Sequence, residues 1–279
     1  MQLQIFTLCD NVAAFGYTAE WGLAVLVDTG SFRFLLDTGM TDIAARNAVS
    51  SHTDLTTVDA IILSHGHCDH TGGLKHILPL CGRKTVYAHP DIFSHRFTLR
   101  HPPRKLDISI PDAREKLEEL GARFELIPAF MEIAKGIFIS SEAPMSSHFE
   151  KVDEGLVTPD SSGELIPDPL RDDLSVAVST PRGLFIFSGC AHRGIINIVR
   201  HFQLMTGESR IYGILGGLHL SRADDEHIAE VETFLRDADV QKVACSHCTG
   251  VHASHTLHKA FPDRFIYNAS GKKLVFNID

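Results

Sequence analysis

The chain has 279 residues, of which 44% are hydrophobic and 22% are charged, so it has enough apolar residues for a substantial core. Its 35 acidic against 26 basic residues give a formal charge of −9, which would repel a polyanion, and we expect no nucleic-acid partner. No stretch approaches the roughly 18 uninterrupted apolar residues of a membrane span, and the chain does not open on a basic region followed by an apolar run. We therefore expect a cytoplasmic protein without a membrane partner.

The six cysteines favour free thiols or metal ligands over a disulfide framework, because no secretion signal accompanies them. Cys245 and Cys248 form a CxxC, but no second CxxC completes a zinc site. We interpret this pair as packing around His247 rather than as a redox motif.

The start of the chain alternates short β-like runs, LQIFTL, GLAVLVD and FRFLLDTG, with turns. Thr41 can cap a helix over TDIAARNAVS, and the apolar run AIILS after it suits a strand buried on both faces. The run SHGHCDHTGGL (64–74) begins where that strand stops. Thr71 offers a cap for a further short helix that we expect to stop near Pro79.

The middle of the chain predicts strands over 85–89 and 136–140 and a surface helix over 112–121. The stretch 141–172 is rich in Pro, Ser and Asp and has no sustained periodicity. We interpret it as an excursion loop within a single domain spanning 1–279, because strand signals resume directly after it. A loop of this length usually covers a site or is partly disordered.

The second half repeats one pattern three times, in which an apolar strand ends in a small residue and a histidine. GLFIFSGCAH ends at His192, IYGILGGLH ends at His219, and KVACSH ends at His247. Helical stretches follow these strands. The pattern is typical of strand ends that lie along one edge of a sheet.

Four strong ligand types crowd six positions of the run 64–74: His65, His67, Asp69 and His70. In a loop with alternating side-chain directions, His65 and His67 can point one way and Asp69 the other, with His70 beside it. Two adjacent cations suit that arrangement better than one tetrahedral ion. Imidazoles and a carboxylate suit zinc, iron or manganese. Without a cation, several grouped polar side chains would compete for few partners.

The HxHxDH run after an apolar strand, preceded by a strand ending in LLDTG, resembles the metallo-β-lactamase superfamily, and the order of elements over nearly the whole chain agrees. This resemblance implies an α/β (α+β) fold, a four-layer αββα sandwich with a mono- or dinuclear metal site at one edge of its two sheets. SHGHCDHTGGL, SGCAHRGIIN, GGLHL and SHCTG together resemble the subgroup named for dihydropterin ribofuranosylaminobenzene 5′-phosphate synthase, whose members are mostly called metal-dependent hydrolases.

The resemblance also implies a ligand set. His65 and His67 would bind the first metal, and Asp69 and His70 the second. His247 follows an apolar strand near the chain end, where the superfamily places the histidine that completes the second site. We expect two divalent ions, with zinc favoured and iron or manganese as alternatives.

The remaining assignments depart from the commoner superfamily pattern, because no mid-chain histidine has the usual strand and turn around it. We favour His192 as the missing ligand, with His148 as the alternative. Cys190 stands where a bridging Asp or Cys would be, and it is either a thiolate ligand or a small buried thiol. His219 is interpreted as a group that faces substrate and donates a proton or binds an anionic oxygen, with a ligand or structural role as alternatives. Asp37 is expected to accept a hydrogen bond from a ligand histidine or the loop backbone.

These residues favour a metal-dependent hydrolase that uses a metal-bound hydroxide, since a bound cation lowers the pKa of water from 15.7 to about 7. Asp69 would orient this nucleophile, and His219 would serve the leaving group of a small phosphorylated or carboxylated substrate. The alternatives are a pterin-linked ribofuranosylaminobenzene-phosphate synthase-type condensing enzyme and a non-catalytic metal-loaded binding protein. A serine hydrolase is excluded by the absence of GxSxG, and His67 weakens a diiron redox reading, because the diiron relatives generally carry a carboxylate there.

Overall fold

The computed structural model describes residues 1–101 and 104–279. In chain order its strands are β1 (Gln2–Cys9), β2 (Ala24–Asp28), β3 (Arg33–Leu36), β4 (Ala60–Ile62), β5 (Lys84–Ala88), β6 (Phe97–His101), β7 (Arg104–Asp107), β8 (Ala122–Leu126), β9 (Met131–Ala134), β10 (Ile137–Ile139), β11 (Leu156–Pro159), β12 (Leu165–Pro167), β13 (Ser175–Thr180), β14 (Gly183–Ser188), β15 (Ile211–Gly216), β16 (Lys242–Cys245) and β17 (Lys273–Asn277). Its α-helices are α1 (Ile43–Ser50), α2 (Cys68–Thr71), α3 (Leu74–Cys81), α4 (Arg114–Glu119), α5 (Ile195–Thr206), α6 (Asp225–Asp237) and α7 (Val251–Ala260).

Two large sheets face each other across the core. The first has the order β17-β1-β2-β3-β4-β5-β8, and the second has the order β16-β15-β14-β13-β10-β9. Side chains from both sheets share one buried cluster, in which the rings of Phe34 and Phe187 meet edge to face at 5.9 Å. The helices α1, α3 and α4 cover the outer face of the first sheet, and α5, α6 and α7 cover that of the second. This is the expected αββα sandwich.

The strands that carry the histidines are parallel to their neighbours. In the second sheet β14, β15 and β16 run parallel, and in the first sheet β3, β4 and β5 do. β14 and β15 are buried at every position because both their faces are covered, which explains their continuous apolar sequence. The carboxyl ends of each parallel set therefore lie at one edge, as the sequence predicted.

The start of α1 differs from the prediction. Thr41 does not cap this helix, which begins at Ile43 after Asp42. The Thr41 hydroxyl instead donates to the carboxylate of Glu20, which also accepts the Thr41 backbone N–H. Thr41 therefore bonds Glu20, 21 residues away in sequence, instead of capping the helix next to it.

The helix after the histidine run also differs. Thr71 closes the short turn α2 and donates its hydroxyl to the carbonyl of His67 at 2.9 Å, so it caps nothing. The next helix, α3, begins at Leu74 after Gly73. Pro79 lies inside α3, which continues to Cys81, because a proline near the end of a short helix removes only one backbone donor.

The excursion loop 141–172 contains two strands that the sequence did not predict. β11 and β12 pair with each other, and β11 also pairs with β6, in a third sheet of order β12-β11-β6-β7 that we call the cap sheet. β12 is exposed along its length, so it shows no alternation of apolar and polar residues. The cap sheet lies over the histidine run, and the Cys68 backbone N–H donates to Ile108 beyond β7 at 2.8 Å.

Among the helices of the described residues, none combines the length and the hydrophobicity that crossing a bilayer requires. That 1–279 forms a single domain stays a prediction.

Candidate metal centre

The histidine run leaves β4 as an extended segment and then turns into a helix. The backbone is extended at His67 (φ −74°, ψ 145°), and α2 follows at once. The predicted alternation of side-chain directions therefore holds for His65 and His67 only. The helical turn brings Asp69 and His70 to a neighbouring position.

The first cluster consists of His65, His67 and His192. His65 Nε2 lies 3.0 Å from His67 Nδ1 and 3.2 Å from His192 Nε2. Burial holds the pKa of both His65 and His67 well below the usual value, so both rings are neutral. A ring nitrogen carries at most one proton, so three nitrogens facing one another cannot all pair among themselves. A cation that accepts their lone pairs fits this arrangement.

Asp37 fixes which nitrogen of two histidines faces the centre. Ser64 Oγ lies 2.7 Å from Asp37 Oδ2 and must donate its proton to that carboxylate. The Ser64 Oγ atom in turn accepts a hydrogen bond from His65 Nδ1 at 2.9 Å. The same Asp37 oxygen accepts from His70 Nδ1 at 2.7 Å, and the other accepts from the Ser64 backbone N–H at 2.7 Å. In the neutral form of each ring, Nε2 is therefore the nitrogen that has the lone pair. Asp37 thus accepts the hydrogen bonds expected of it.

The second cluster consists of Asp69, His70 and His247. Asp69 Oδ2 lies 3.6 Å from His70 Nε2 and 3.4 Å from His247 Nε2. His247 Nδ1 donates to Asn11 Oδ1 at 2.9 Å, and this oxygen also accepts the Gly22 N–H, so His247 Nε2 keeps its lone pair. That nitrogen is buried and makes no hydrogen bond among the described residues, which suits a metal ligand.

The electrostatics of the second cluster reflect two opposing effects. Burial favours the neutral form of Asp69, but His70 and His247 lower the pKa of this carboxyl well below its usual value. Burial likewise opposes protonation of His70, yet the carboxylates of Asp69 and Asp37 raise its pKa to about 9. A cation would replace the proton that His70 holds without it, so metal binding releases a proton.

Cys190 lies between the two clusters. Its Sγ is 3.2 Å from His70 Nε2. It belongs to one donor group with His65 and His192 and to another with His70 and His247, and within each group the ligand atoms lie within 4.8 Å of one another. Its position therefore suits a group shared by both clusters.

Four residues at the centre have a left-handed backbone conformation although none is glycine. They are Asp37 (φ 58°), Ala191 (φ 55°), His219 (φ 52°) and His247 (φ 53°). Each follows a strand end, where a sharp turn directs the next side chain along the sheet edge. Such conformations cost of order 1–3 kcal/mol and persist only where the surroundings impose them. The fold stores this strain at the candidate site.

A cavity of about 500 Å³ opens beside both clusters. Asp69 and His247 line it together with apolar side chains that include Trp21, whose ring centroid lies 5.4 Å from that of His247, and, from the cap sheet, Leu156. Arg222 lines it as well and is exposed. Cys68, also in the lining, has its pKa raised to about 11, chiefly by burial, so it is a neutral thiol.

The other predicted candidates lie in different surroundings. His219 lines the cavity, with its ring 4.3 Å from that of His192 and its Nε2 3.8 Å from Asp153. His148 is exposed on the excursion loop and belongs to no donor group among the described residues. The structure therefore brings His192 to the centre and leaves His148 outside it.

A buried cluster of Arg96, Asp168 and Asp172 is hydrogen-bonded to the backbone of the histidine run. The Gly66 backbone N–H donates to Asp172 at 2.7 Å, and Arg96 pairs with Asp172 and Asp168 at 2.8 Å each. Burial raises the pKa of Asp172 to about 7, and Arg96 opposes that rise. A Cβ at position 66 would lie 2.3 Å from the Ile92 carbonyl oxygen, so only glycine fits there.

Sequence reasoning missed several supporting residues. Asn11 and Asp172 bond the run or its ligands across distant parts of the chain, and Arg96 pairs with Asp172. No local motif marks them. Cys248 was also missed as a member of the centre, although its place directly after His247 was a signal for it.

Comparisons with known proteins agree with this geometry. The family model of the metallo-beta-lactamase superfamily matches residues 21–247. The chain belongs to this superfamily. It is 30% identical, over 98% of its length and 97% of the relative's, to the 7,8-dihydropterin-6-methyl-4-(β-D-ribofuranosyl)-aminobenzene-5′-phosphate synthase of Methanocaldococcus jannaschii.

Solved structures show the same fold. A metal-dependent hydrolase of the β-lactamase superfamily superposes with a TM-score of 0.85 at 26% identity, covering 99% of this chain and all of that one. The Zn²⁺-bound PqqB of Methylobacterium extorquens superposes with a TM-score of 0.57 at 13% identity, covering 97% and 99% of the two chains. That neighbour is Zn²⁺-bound, and the described residues of this chain include groups of potential metal ligands of their own.

Proposed function

We propose that the protein is a metal-dependent hydrolase of a small anionic molecule, either phosphorylated or carboxylated. One observation carries this proposal: six predicted ligands from separate strand ends meet beside one cavity. Four come from the loop after β4, two from its extended part and two from α2, and one each comes from the ends of β14 and β16. The six are His65, His67, Asp69, His70, His192 and His247.

These residues would hold two divalent cations, one in each cluster, and zinc is favoured because imidazoles and a neighbouring thiol suit it. When bound, the cations would lower the pKa of water toward neutrality and polarise a carbonyl or phosphoryl group. Asp37 fixes a proton on Nδ1 of each ring, directly for His70 and through Ser64 for His65, so that Nε2 is the nitrogen that would bind the cation.

Side chains in the cavity wall would orient the water, serve the leaving group and attract the substrate. Asp69 remains ionised, and its Oδ2 faces the second cluster, where it would orient the attacking water. His219 lies beside His192 in the wall and would pass a proton to the leaving group or bind its anionic oxygen. The cationic Arg222 at the opening would attract the anionic end of the substrate.

The similarity to a synthase supports one competing function. A relative 30% identical over nearly the whole chain is named as a dihydropterin ribofuranosylaminobenzene 5′-phosphate synthase. In that function the two cations would bind a phosphate group rather than activate water. The ligands and the cavity would be the same, so only turnover separates the two proposals.

The test uses His67→Ala and His70→Ala, one variant for each cluster, with His148→Ala as the exposed control. We expect both cluster variants to lose bound zinc and hydrolysis of a panel of phosphoesters and lactones together, whereas the control keeps both. Full hydrolysis in either cluster variant would refute the proposal. Formation of a dihydropterin-linked ribofuranosylaminobenzene 5′-phosphate, without hydrolysis of the panel, would establish the synthase instead, and tight binding without any turnover would indicate a binding protein.

A further inference from the structure

Three donors of the centre form a group that the two clusters do not account for. The ligand atoms of Cys190, His219 and Cys248 lie within 4.8 Å of one another. These residues follow the ends of β14, β15 and β16, three neighbouring parallel strands. All three side chains line the 500 Å³ cavity, and both thiols are at least 95% buried.

The backbone holds Cys248 in this position. A Cβ at position 217 would lie 2.4 Å from Cys248 Sγ, so the glycine there leaves room for the sulfur. Cys248 Sγ donates to the Cys190 carbonyl at 3.4 Å, and the Cys248 carbonyl accepts the Ser221 N–H at 3.1 Å. The sulfur is therefore fixed beside Cys190 and next to the loop that carries His219.

The two cysteines of the CxxC have different surroundings. Cys245 is fully buried among apolar side chains of the second sheet, as a packing residue would be. Cys248 faces the cavity and belongs to a donor group. The interpretation of the pair as packing therefore describes Cys245 and leaves Cys248 to be explained.

We propose that Cys190, His219 and Cys248 form a third cation position, which takes a soft divalent ion such as Zn²⁺. Two thiolates and an imidazole are soft ligands that select zinc over manganese or magnesium. Three protein ligands leave one coordination position open, which is the pattern of catalytic rather than structural zinc, and here that position faces the cavity. Cys190 would be shared with the two clusters, and the thiol protons would be released on binding. An ion in this position, rather than the His219 ring itself, would bind the anionic group of the substrate, which is the part of the inference that rests on the proposed function.

The test is a titration of the whole apo-protein with Co²⁺, whose thiolate charge-transfer absorption reports sulfur ligands and whose endpoint counts ions. We expect Cys248→Ala to bind one ion fewer per chain and to lose part of that absorption. The matched control is Cys245→Ala, a thiol of the same motif outside every donor group, and it should keep the wild-type count and absorption. An unchanged count and absorption in Cys248→Ala would overturn the proposal, and so would an equal loss in both variants, since that would reflect packing.

His219→Ala provides a second test, because this side chain lines the cavity rather than the apolar core. It should lose the same ion while both cysteines remain. A wild-type count in His219→Ala would overturn the proposal independently. The outcome is separate from that of the proposed function, because the count of the third ion is read without any substrate and the His67→Ala and His70→Ala variants test the other clusters.

Discussion

Replacing Asp37 by asparagine should disrupt both clusters through a change of one atom. In the wild type, one carboxylate oxygen accepts from Ser64 Oγ and from His70 Nδ1. Both carboxylate oxygens accept from donors, so an amide nitrogen meets a donor in either orientation: at Oδ1 it repels the Ser64 N–H, and at Oδ2 it repels Ser64 Oγ and His70 Nδ1. His70 must then move its proton to Nε2, and Ser64 must donate to His65 Nδ1, which moves the second proton to His65 Nε2. Each proton would sit on the nitrogen that faces a cation.

The expected loss of metal affinity follows from the number of ligand histidines affected. Losing one outer partner of a ligand histidine typically costs 10- to 100-fold in metal affinity, so two histidines give about 10²- to 10⁴-fold, or roughly 3 to 6 kcal/mol. The backbone should tolerate the change, because Asp37 has a φ of 58° and asparagine is among the residues that adopt this conformation most readily. The assay is a competition titration of the apo-protein with zinc against a chromophoric chelator.

The control is Asp42→Asn, which alters a carboxylate five residues away that makes no capping hydrogen bond and contacts no histidine ligand. Its zinc affinity should equal that of the wild type. If Asp37→Asn also bound zinc with wild-type affinity, the assignment of the two tautomers to Asp37 would be refuted.

Three further predictions concern stability. Gly189→Ala places a Cβ 2.1 Å from Ser64 Oγ and should destabilise the fold by about 1–3 kcal/mol in urea unfolding, and an unchanged midpoint would contradict this contact. Arg96→Met leaves Asp168 and Asp172 buried without their cation, which should cost about 3–5 kcal/mol at pH 7. The loss should shrink toward pH 5, because burial raises the pKa of Asp172 and Arg96 no longer opposes that rise, so the native state binds a proton there that the unfolded state binds less readily; a loss independent of pH would exclude this cause. Removal of the cations with a chelator should lower the thermal midpoint, since a ligand at 100 times its Kd stabilises by about 2.7 kcal/mol, while the circular dichroism at 25 °C keeps its native shape.

The sequence predicted those parts of the fold that depend on local order along the chain. The run His65 to His70 is adjacent in sequence, so its ligand character is visible without a structure. The pattern of apolar strand followed by histidine predicted that His192, His219 and His247 would share a sheet edge. Their strands are indeed parallel neighbours, and parallel strands must present their carboxyl ends together.

The sequence did not predict contacts that depend on the third dimension. Asn11 is 236 residues from His247, and only the closed sandwich brings its amide to that ring. The cap sheet was hidden for a different reason, because β11 and β12 are short, partly exposed strands whose periodicity is too weak to detect. The sequence pattern predicted a loop with alternating side-chain directions over 64–74. After His67 the chain instead forms the helical turn α2, in which side chains do not alternate.

The two clusters have one property in common that ties the site to the core of the molecule. The first takes two histidines from the loop after β4 and a third, His192, from the loop after β14, so its ligands come from both sheets. The second takes Asp69 and His70 from the first sheet and His247 from the second. The spacing of the sheets, set by contacts such as that of Phe34 with Phe187, therefore determines whether either set of donors can meet. Each cation would in turn hold the two sheets together at this edge, because ligand binding to the native state alone stabilises the arrangement that forms the site. The apolar core and the metal centre are thus thermodynamically coupled, although no ligand residue belongs to the cluster between the sheets.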